Sequence, residues 1–267
     1  MSTPILSFEN LDLSYELTPV LKNISLRIDS AEHCVILGAN GSGKSSLIKL
    51  ITSELYPSYK QEPFHREILG RERWAITELR QHIGVVTNDL HSRFAYEREN
   101  LSGFETVLSG FFGTLGLFDH LEVKVEYLEG AVNAMKRLGI EHLRDKPLSQ
   151  MSTGELRKCI VARALVHPVR AILLDEPTVG LDIKAQIDFI EMMRTLGAGG
   201  TTVILVTHHI EEIFEEISKV VLLKEGRIIA QGSKEAVLNS ANLSQTFDIA
   251  LEVRQEQGRY WIRPAMH

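Results

Sequence analysis

The run Gly38-Ala39-Asn40-Gly41-Ser42-Gly43-Lys44-Ser45 places a lysine and a hydroxyl directly after a glycine-rich loop, and Ser46 follows. Glycines at 38, 41 and 43 let successive backbone N–H groups converge on one point, which is how a loop cradles phosphate oxygens. In that pattern Lys44 reaches the β- and γ-phosphates and the Ser45 hydroxyl ligates Mg²⁺, so residues 38–46 predict a nucleotide phosphate site. A chance Gly/Ser turn would lack the flanking elements. Here a short apolar strand, His33–Leu37, enters the loop and an amphipathic helix over Ser45–Leu55 leaves it.

Two further groups carry chemistry. The apolar run Ala171–Leu174 ends in Asp175-Glu176, which puts two acids at the carboxyl edge of a parallel sheet. Asp175 would hold Mg²⁺ through water and Glu176 would polarise the attacking water as general base. A strand ending in one Asp is often only a helix cap, and the company of the phosphate loop gives this pair its reading. Met151-Ser152-Thr153-Gly154-Glu155 opens a helix that continues to Val166. Ser152 and Gly154 can offer a hydroxyl and N–H groups to an anion, while Ser152 and Glu155 also make a plain capping box; both readings can hold together.

These groups need a scaffold of alternating strands and helices. Ile5–Tyr15 and Val20–Ile28 alternate as two antiparallel strands about a turn at Glu16–Pro19. Gln61–Arg80 is polar and irregular, with a helix start at Ile76–Leu79, before a strand at Ile83–Val86. Leu101–Ile140 is helical in pattern, with Gly110–Phe118 rich in glycine and aromatics. A helix over Ile183–Leu196, a buried strand at Thr202–Val206 and a helix over His209–Ile217 follow. Val220–Leu223 and Arg227–Gln231 form a hairpin around Glu225-Gly226, and the tail from Ala236 holds a short helix and a hairpin turning at Glu256–Gly258.

The 267 residues are 44% hydrophobic, enough for a packed core, and the formal net charge of −6 offers no basic field for nucleic acid. The two cysteines, Cys34 and Cys159, sit in a strand-like and a helical run and fit reduced thiols in the cytoplasm. No window approaches the roughly 18 to 20 apolar residues of a membrane span, so a membrane role would need other chains.

The phosphate loop, Met151–Glu155, Leu174-Asp175-Glu176-Pro177, Gly180-Leu181-Asp182 and Val206-Thr207-His208 resemble, in order and approximate spacing, the motifs of ATP-binding cassette (ABC) ATPases. The resemblance runs from the N-terminal strands to at least Gly232. It implies an ATP-dependent head-to-tail pair of copies, in which Ser152 and Gly154 of one contact the γ-phosphate held by Lys44 of the other. By position, Tyr15 resembles the aromatic that stacks on adenine, the alternative being ordinary packing at a strand end. His208 is similar to the histidine that touches the γ-phosphate, with His209 the competing candidate, and Asp182 to the acid that communicates across the dimer.

Two departures stand out. After Ile83-Gly84-Val85-Val86-Thr87 the family commonly has glutamine and this chain has Asn88, one methylene shorter. Its amide reaches Mg²⁺ or the water only if the loop moves inward or a water bridges. Thr153 and Glu155 keep the helix start but add an acid near the expected γ-phosphate, a recipe for slowed hydrolysis. Ile83–Phe94 with Val107–Leu117 is similar to molybdate-linked and related soluble cassettes, and Leu238–Arg263 to metal-chelate importer cassettes. Phe111, Phe112 and Phe118 either line a groove for a transporter's cytoplasmic helix or form their subdomain's own core.

The expected fold is α/β, a mostly parallel nucleotide-binding sheet with an N-terminal antiparallel β-subdomain and an inserted helical subdomain. Residues 1–267 would be one domain: 1–89 and 166–235 the core, 90–165 helical, and 236–267 a helix-hairpin extension. The resemblance implies a Mg²⁺-dependent ATPase that is the motor subunit of an ABC transporter, cytoplasmic and held at the inner face of the membrane by separate permease subunits. The alternative is a soluble cassette acting on a protein or nucleic-acid complex.

Overall fold

Leu21, Ile24, Leu26 and Ile28 turn inward along Thr18–Asp29 (β2), which pairs antiparallel with Pro4–Tyr15 (β1). The computed structural model describes residues 4–16, 18–118, 120–256 and 258–265; Leu17 and Gln257, inside the two expected turns, lie outside them. The chain divides into two compact units, Met1–Leu79 with Gly197–His267, and Arg80–Leu196.

In the first unit, Cys34–Leu37 (β3) is wholly buried and leads into Lys44–Ile51 (α1). This helix stops short of the expected Leu55. Ser53 takes a left-handed φ of 60° and the Leu55 N–H turns back to the Lys49 carbonyl at 3.0 Å. The stretch expected to be irregular contains a third strand, His65–Ile68 (β4), antiparallel to β1. Its buried positions are Arg66 and Ile68, so the inward pattern reads as polar in sequence. The Arg66 guanidinium is satisfied by the Glu72 carbonyl (2.6 Å), the Leu50 carbonyl (3.0 Å) and Ser53 Oγ (2.6 Å). Ile76–Leu79 (α2) closes this stretch.

The second unit holds Ile83–Val86 (β5), Asn88–Glu97 (α3), Gly103–Leu108 (α4), Val125–Arg137 (α5), Thr153–Ala164 (α6), Ala171–Asp175 (β6) and all but the last two residues of Ile183–Ala198 (α7). Strands β5 and β6 are parallel, with Val86 opposite Leu174. Gly84 lies where a Cβ would meet the Ala164 carbonyl oxygen at 2.7 Å, so the strand and α6 close-pack only with glycine there. The expected helical run Leu101–Ile140 is broken: α4 passes into a 3-10 turn at Ser109–Phe112 before α5 begins. Val107, Leu108, Ala131, Met135 and Cys159 form the core there, and Phe111 packs against it, stacked on Tyr127 with ring centroids 4.6 Å apart. Phe111 and Phe112, which also meets Tyr127 edge-on, therefore serve the subdomain's own packing; Phe118 stays exposed beside His120.

Returning to the first unit, Thr202–Thr207 (β7) and Lys219–Lys224 (β8) flank β3 in parallel, and Arg227–Gly232 (β9) pairs antiparallel with β8. Lys234–Val237 (α8), Ser240–Phe247 (α9) and the hairpin Leu251–Glu256 (β10) with Arg259–Pro264 (β11) follow. The helix expected over His209–Ile217 is only a 3-10 turn at Ile210–Glu212. Ile213 is extended, and the carbonyls of Phe214 and Glu215 accept from Lys234 Nζ, which removes them from any helical ladder.

His33 enters β3 buried, its Nδ1 accepting the Val203 N–H at 3.1 Å, so that nitrogen carries no proton. Burial pushes its pKa below the ordinary imidazole value, opposed in part by Glu216. The fold then binds fewer protons than the unfolded chain: stability from this group is complete above about pH 6.5 and is lost as pH falls below it. The urea midpoint is expected to drop between pH 7.5 and 5.5, and His33→Asn to flatten that drop. An unchanged slope in the variant would assign the pH dependence elsewhere.

Candidate functional site

In the first unit the phosphate loop is held open by its own backbone. Gly41 and Gly43 adopt φ of 80° and 106°, which a side chain would strain, and the Gly38 N–H donates to the Thr207 carbonyl at 3.3 Å. Lys44 is buried and its ammonium donates to the carbonyls of Gly38 (2.8 Å) and Ala39 (3.1 Å). Ser42 Oγ is buried with no hydrogen-bond partner, and a Cβ on Gly38 would come within 2.4 Å of it. The helix start at Gly43 has no side-chain cap, so the first N–H groups of α1, at Ser45 and Ser46, are left for an anion.

Gly226, in the β8–β9 turn, supports the loop from behind: its N–H donates to the Ser42 carbonyl at 2.8 Å, and a Cβ there would strike the Val20 carbonyl at 2.2 Å. A turn glycine gave no sequence signal of this role. The parallel register Leu37↔Thr207 brings Gly38 and His208 to one carboxyl edge. His208 and His209 are half-buried with ring centroids 3.9 Å apart. Tyr15 is 41% exposed, its ring 6.0 Å from Lys49 Nζ, so the ring is accessible and does not pack in a core.

In the second unit, the register Val86↔Leu174 sends Thr87-Asn88 and Asp175-Glu176 out of the same carboxyl edge. Glu176 has a left-handed φ of 46°, a conformation that costs a non-glycine residue about 1–3 kcal/mol. Such strain collects where a side chain must be aimed. Ser152 caps α6 by accepting from the Glu155 N–H at 3.2 Å, and Glu155 Oε2 accepts from the Ser152 N–H at 2.8 Å, so the capping box is complete. The acid at 155 is turned onto Lys146, 2.8 Å away, whose hydrogen bond holds the carboxyl below the usual range. Its charge is therefore countered within its own unit. Lys146 was not found from the sequence.

Gly154 lies close to Ala185, with a Cβ approach of 3.3 Å, which seats the start of α6 against the start of α7. Asp182 caps α7 by accepting from the Ala185 N–H at 2.8 Å and is exposed. Asn88 Oδ1 accepts from Arg157 Nη1 at 3.0 Å. Tyr15, residues 38–46 and His208 thus belong to one unit, and Asn88, Ser152, Gly154, Asp175, Glu176 and Asp182 to the other. Among the described residues, no helix is long and apolar enough to cross a membrane.

Residues 21–179 match the ABC transporter family. The chain is 30% identical to the uncharacterized ABC transporter ATP-binding protein YmeB of Lactococcus lactis, over 98% of this chain and 99% of the relative. It is 32% identical to the energy-coupling factor transporter ATP-binding protein EcfA3 of Clostridium perfringens, over 94% of this chain and 85% of the other. Among solved structures it is similar to cbiO1 from Clostridium perfringens, part of the ABC transporter complex cbiONQ, with a TM-score of 0.74, 30% identity, and 91% and 94% of the two chains covered. The chain therefore has the α/β fold of an ABC ATPase and belongs to the ABC transporter ATP-binding family.

Proposed function

We propose that this chain is the Mg²⁺-dependent, ATP-hydrolysing motor subunit of an ABC transporter, working as a head-to-tail pair with separate permease subunits at the inner face of the membrane. The observation that carries the reading is the phosphate loop, where a buried ammonium rests on loop carbonyls beside a buried hydroxyl without a partner. Both groups find a better partner in a nucleotide's phosphate oxygens.

On ATP binding, Lys44 exchanges its carbonyls for the β- and γ-phosphates, and Tyr15 stacks on adenine. Among the described residues there is no cluster of three or more His, Cys, Asp or Glu able to cage a metal. A hydroxyl at Ser45 and a carboxylate at Asp175 are nonetheless donor types that would hold Mg²⁺, an ion that takes few protein ligands beside water and phosphate. Held there, it would neutralise phosphate charge. Glu176 takes the proton of the attacking water, and His208 touches the γ-phosphate. Ser152 and Gly154 close the site from the second copy, the capped start of α6 turning its positive dipole end to the anion. The exposed Val179 and Ile183, 39% and 77% accessible on either side of Asp182, suit burial against that copy. Permease partners are supported by the similarity to EcfA3 and to cbiO1.

Phosphate release and nucleotide chromatography test the reaction. ADP and phosphate are expected with Mg²⁺ and neither with EDTA. Formation of AMP, or hydrolysis indifferent to EDTA, would overturn the reading.

A further inference from the structure

Arg157 is one of the most deeply buried side chains, 2% exposed, on a helix whose start is proposed to face a nucleotide. Its Nη1 donates to Asn88 Oδ1 at 3.0 Å and its Nη2 to the Val179 carbonyl at 3.2 Å. A guanidinium has donors and no acceptor, so the amide atom facing it is oxygen; this fixes which way the Asn88 carboxamide points. The end turned away from the guanidinium is the –NH₂, which has hydrogens to give, while the second lone pair of Oδ1 sits beside a positive charge that disfavours a metal ion there. Asn88 is also held by its backbone, as the first residue of α3 behind the cap Thr87, whose Oγ1 accepts from the Leu90 N–H at 3.2 Å. One turn on, burial and then the Arg157 charge hold His91 below the ordinary imidazole value.

We propose that Arg157 is a positioning residue that makes Asn88 a hydrogen-bond donor to an oxygen of the reacting group, the attacking water or the terminal phosphate, and not a ligand to Mg²⁺. Asn88 leaves the same sheet edge as Glu176, so a donor there lies beside the proposed general base. The same guanidinium grips Val179, three residues before Asp182, and so ties residue 88 to the turn that faces the second copy. This inference rests on the ATPase reading above.

The test uses Asn88→Asp and Arg157→Met in the full chain. The aspartate keeps an oxygen for Arg157 and strengthens the pair, yet removes the donor. Melting of the nucleotide-free protein should show Asn88→Asp at or above wild type, Arg157→Met lower by several degrees, and the double variant non-additive. With Mn²⁺ and a non-hydrolysable ATP analogue, the Mn²⁺ half-saturation of Asn88→Asp should stay within about twofold of wild type, while kcat falls about tenfold or more with KM for ATP little changed. A roughly tenfold tightening of Mn²⁺, as expected when a carboxylate replaces an amide ligand, would overturn the proposal, as would an unchanged kcat. If the wild type hydrolyses no ATP, the ATPase reading fails by itself, and additive melting shifts would still refute the Asn88–Arg157 pair.

Discussion

Glu176→Gln is expected to bind ATP as wild type does and to turn it over about a hundredfold or more slowly, since general-base catalysis contributes about 10²–10⁴ in rate. The amide matches the carboxylate in shape but cannot accept the proton of the attacking water. Glu176 follows the last residue of β6 in a left-handed conformation, φ 46°, and so sits where the strand end aims it, with Asp175 one residue before. The contacts proposed between Lys44 and the phosphates are untouched, and affinity should separate from turnover. Single-turnover hydrolysis with parallel calorimetry checks both quantities. A rate within a few-fold of wild type would remove Glu176 from the mechanism.

Ser152→Arg is expected to leave ATP binding by each copy intact and to reduce hydrolysis to near background. Ser152 caps α6 through the Glu155 N–H, and the loss of that cap costs about 1 kcal/mol, too little to unfold the chain. The added bulk and charge instead stand at a helix start proposed to close the other copy's site. Melting temperature and ATP affinity should therefore change little while kcat collapses; full activity would mean that the site is complete within one chain.

The candidate site was legible where backbone geometry demands particular residues. Gly41 and Gly43 occupy left-handed positions that few other residues adopt, and β3 and β6 are continuous apolar runs because both strands are wholly or almost wholly buried. The site's supports were not legible, because each depends on a partner far along the chain. Arg66 faces inward on β4 and disguises a strand as polar loop. Lys234 captures the carbonyls of Phe214 and Glu215 and cancels an apparent helix. Arg157 looks like any charged helix residue until Asn88, 69 residues away, is seen to accept from it. Likewise Glu155 reads as an acid beside a phosphate, and only the position of Lys146 shows it to be neutralised. Local propensity carries no information about such pairs.

The most direct test of a site shared between two copies is to mix two inactive variants. Lys44→Ala removes the cation from the phosphate loop and keeps the Ser152 helix start; Ser152→Arg does the reverse. In a symmetric head-to-tail pair, random mixing makes half the dimers mixed, each with one site assembled from two intact halves, so the mixture should recover roughly a quarter of the wild-type rate. Hydrolysis by the equimolar mixture is therefore predicted to rise well above that of either variant alone, and a mixture no more active than its two components would contradict the shared site.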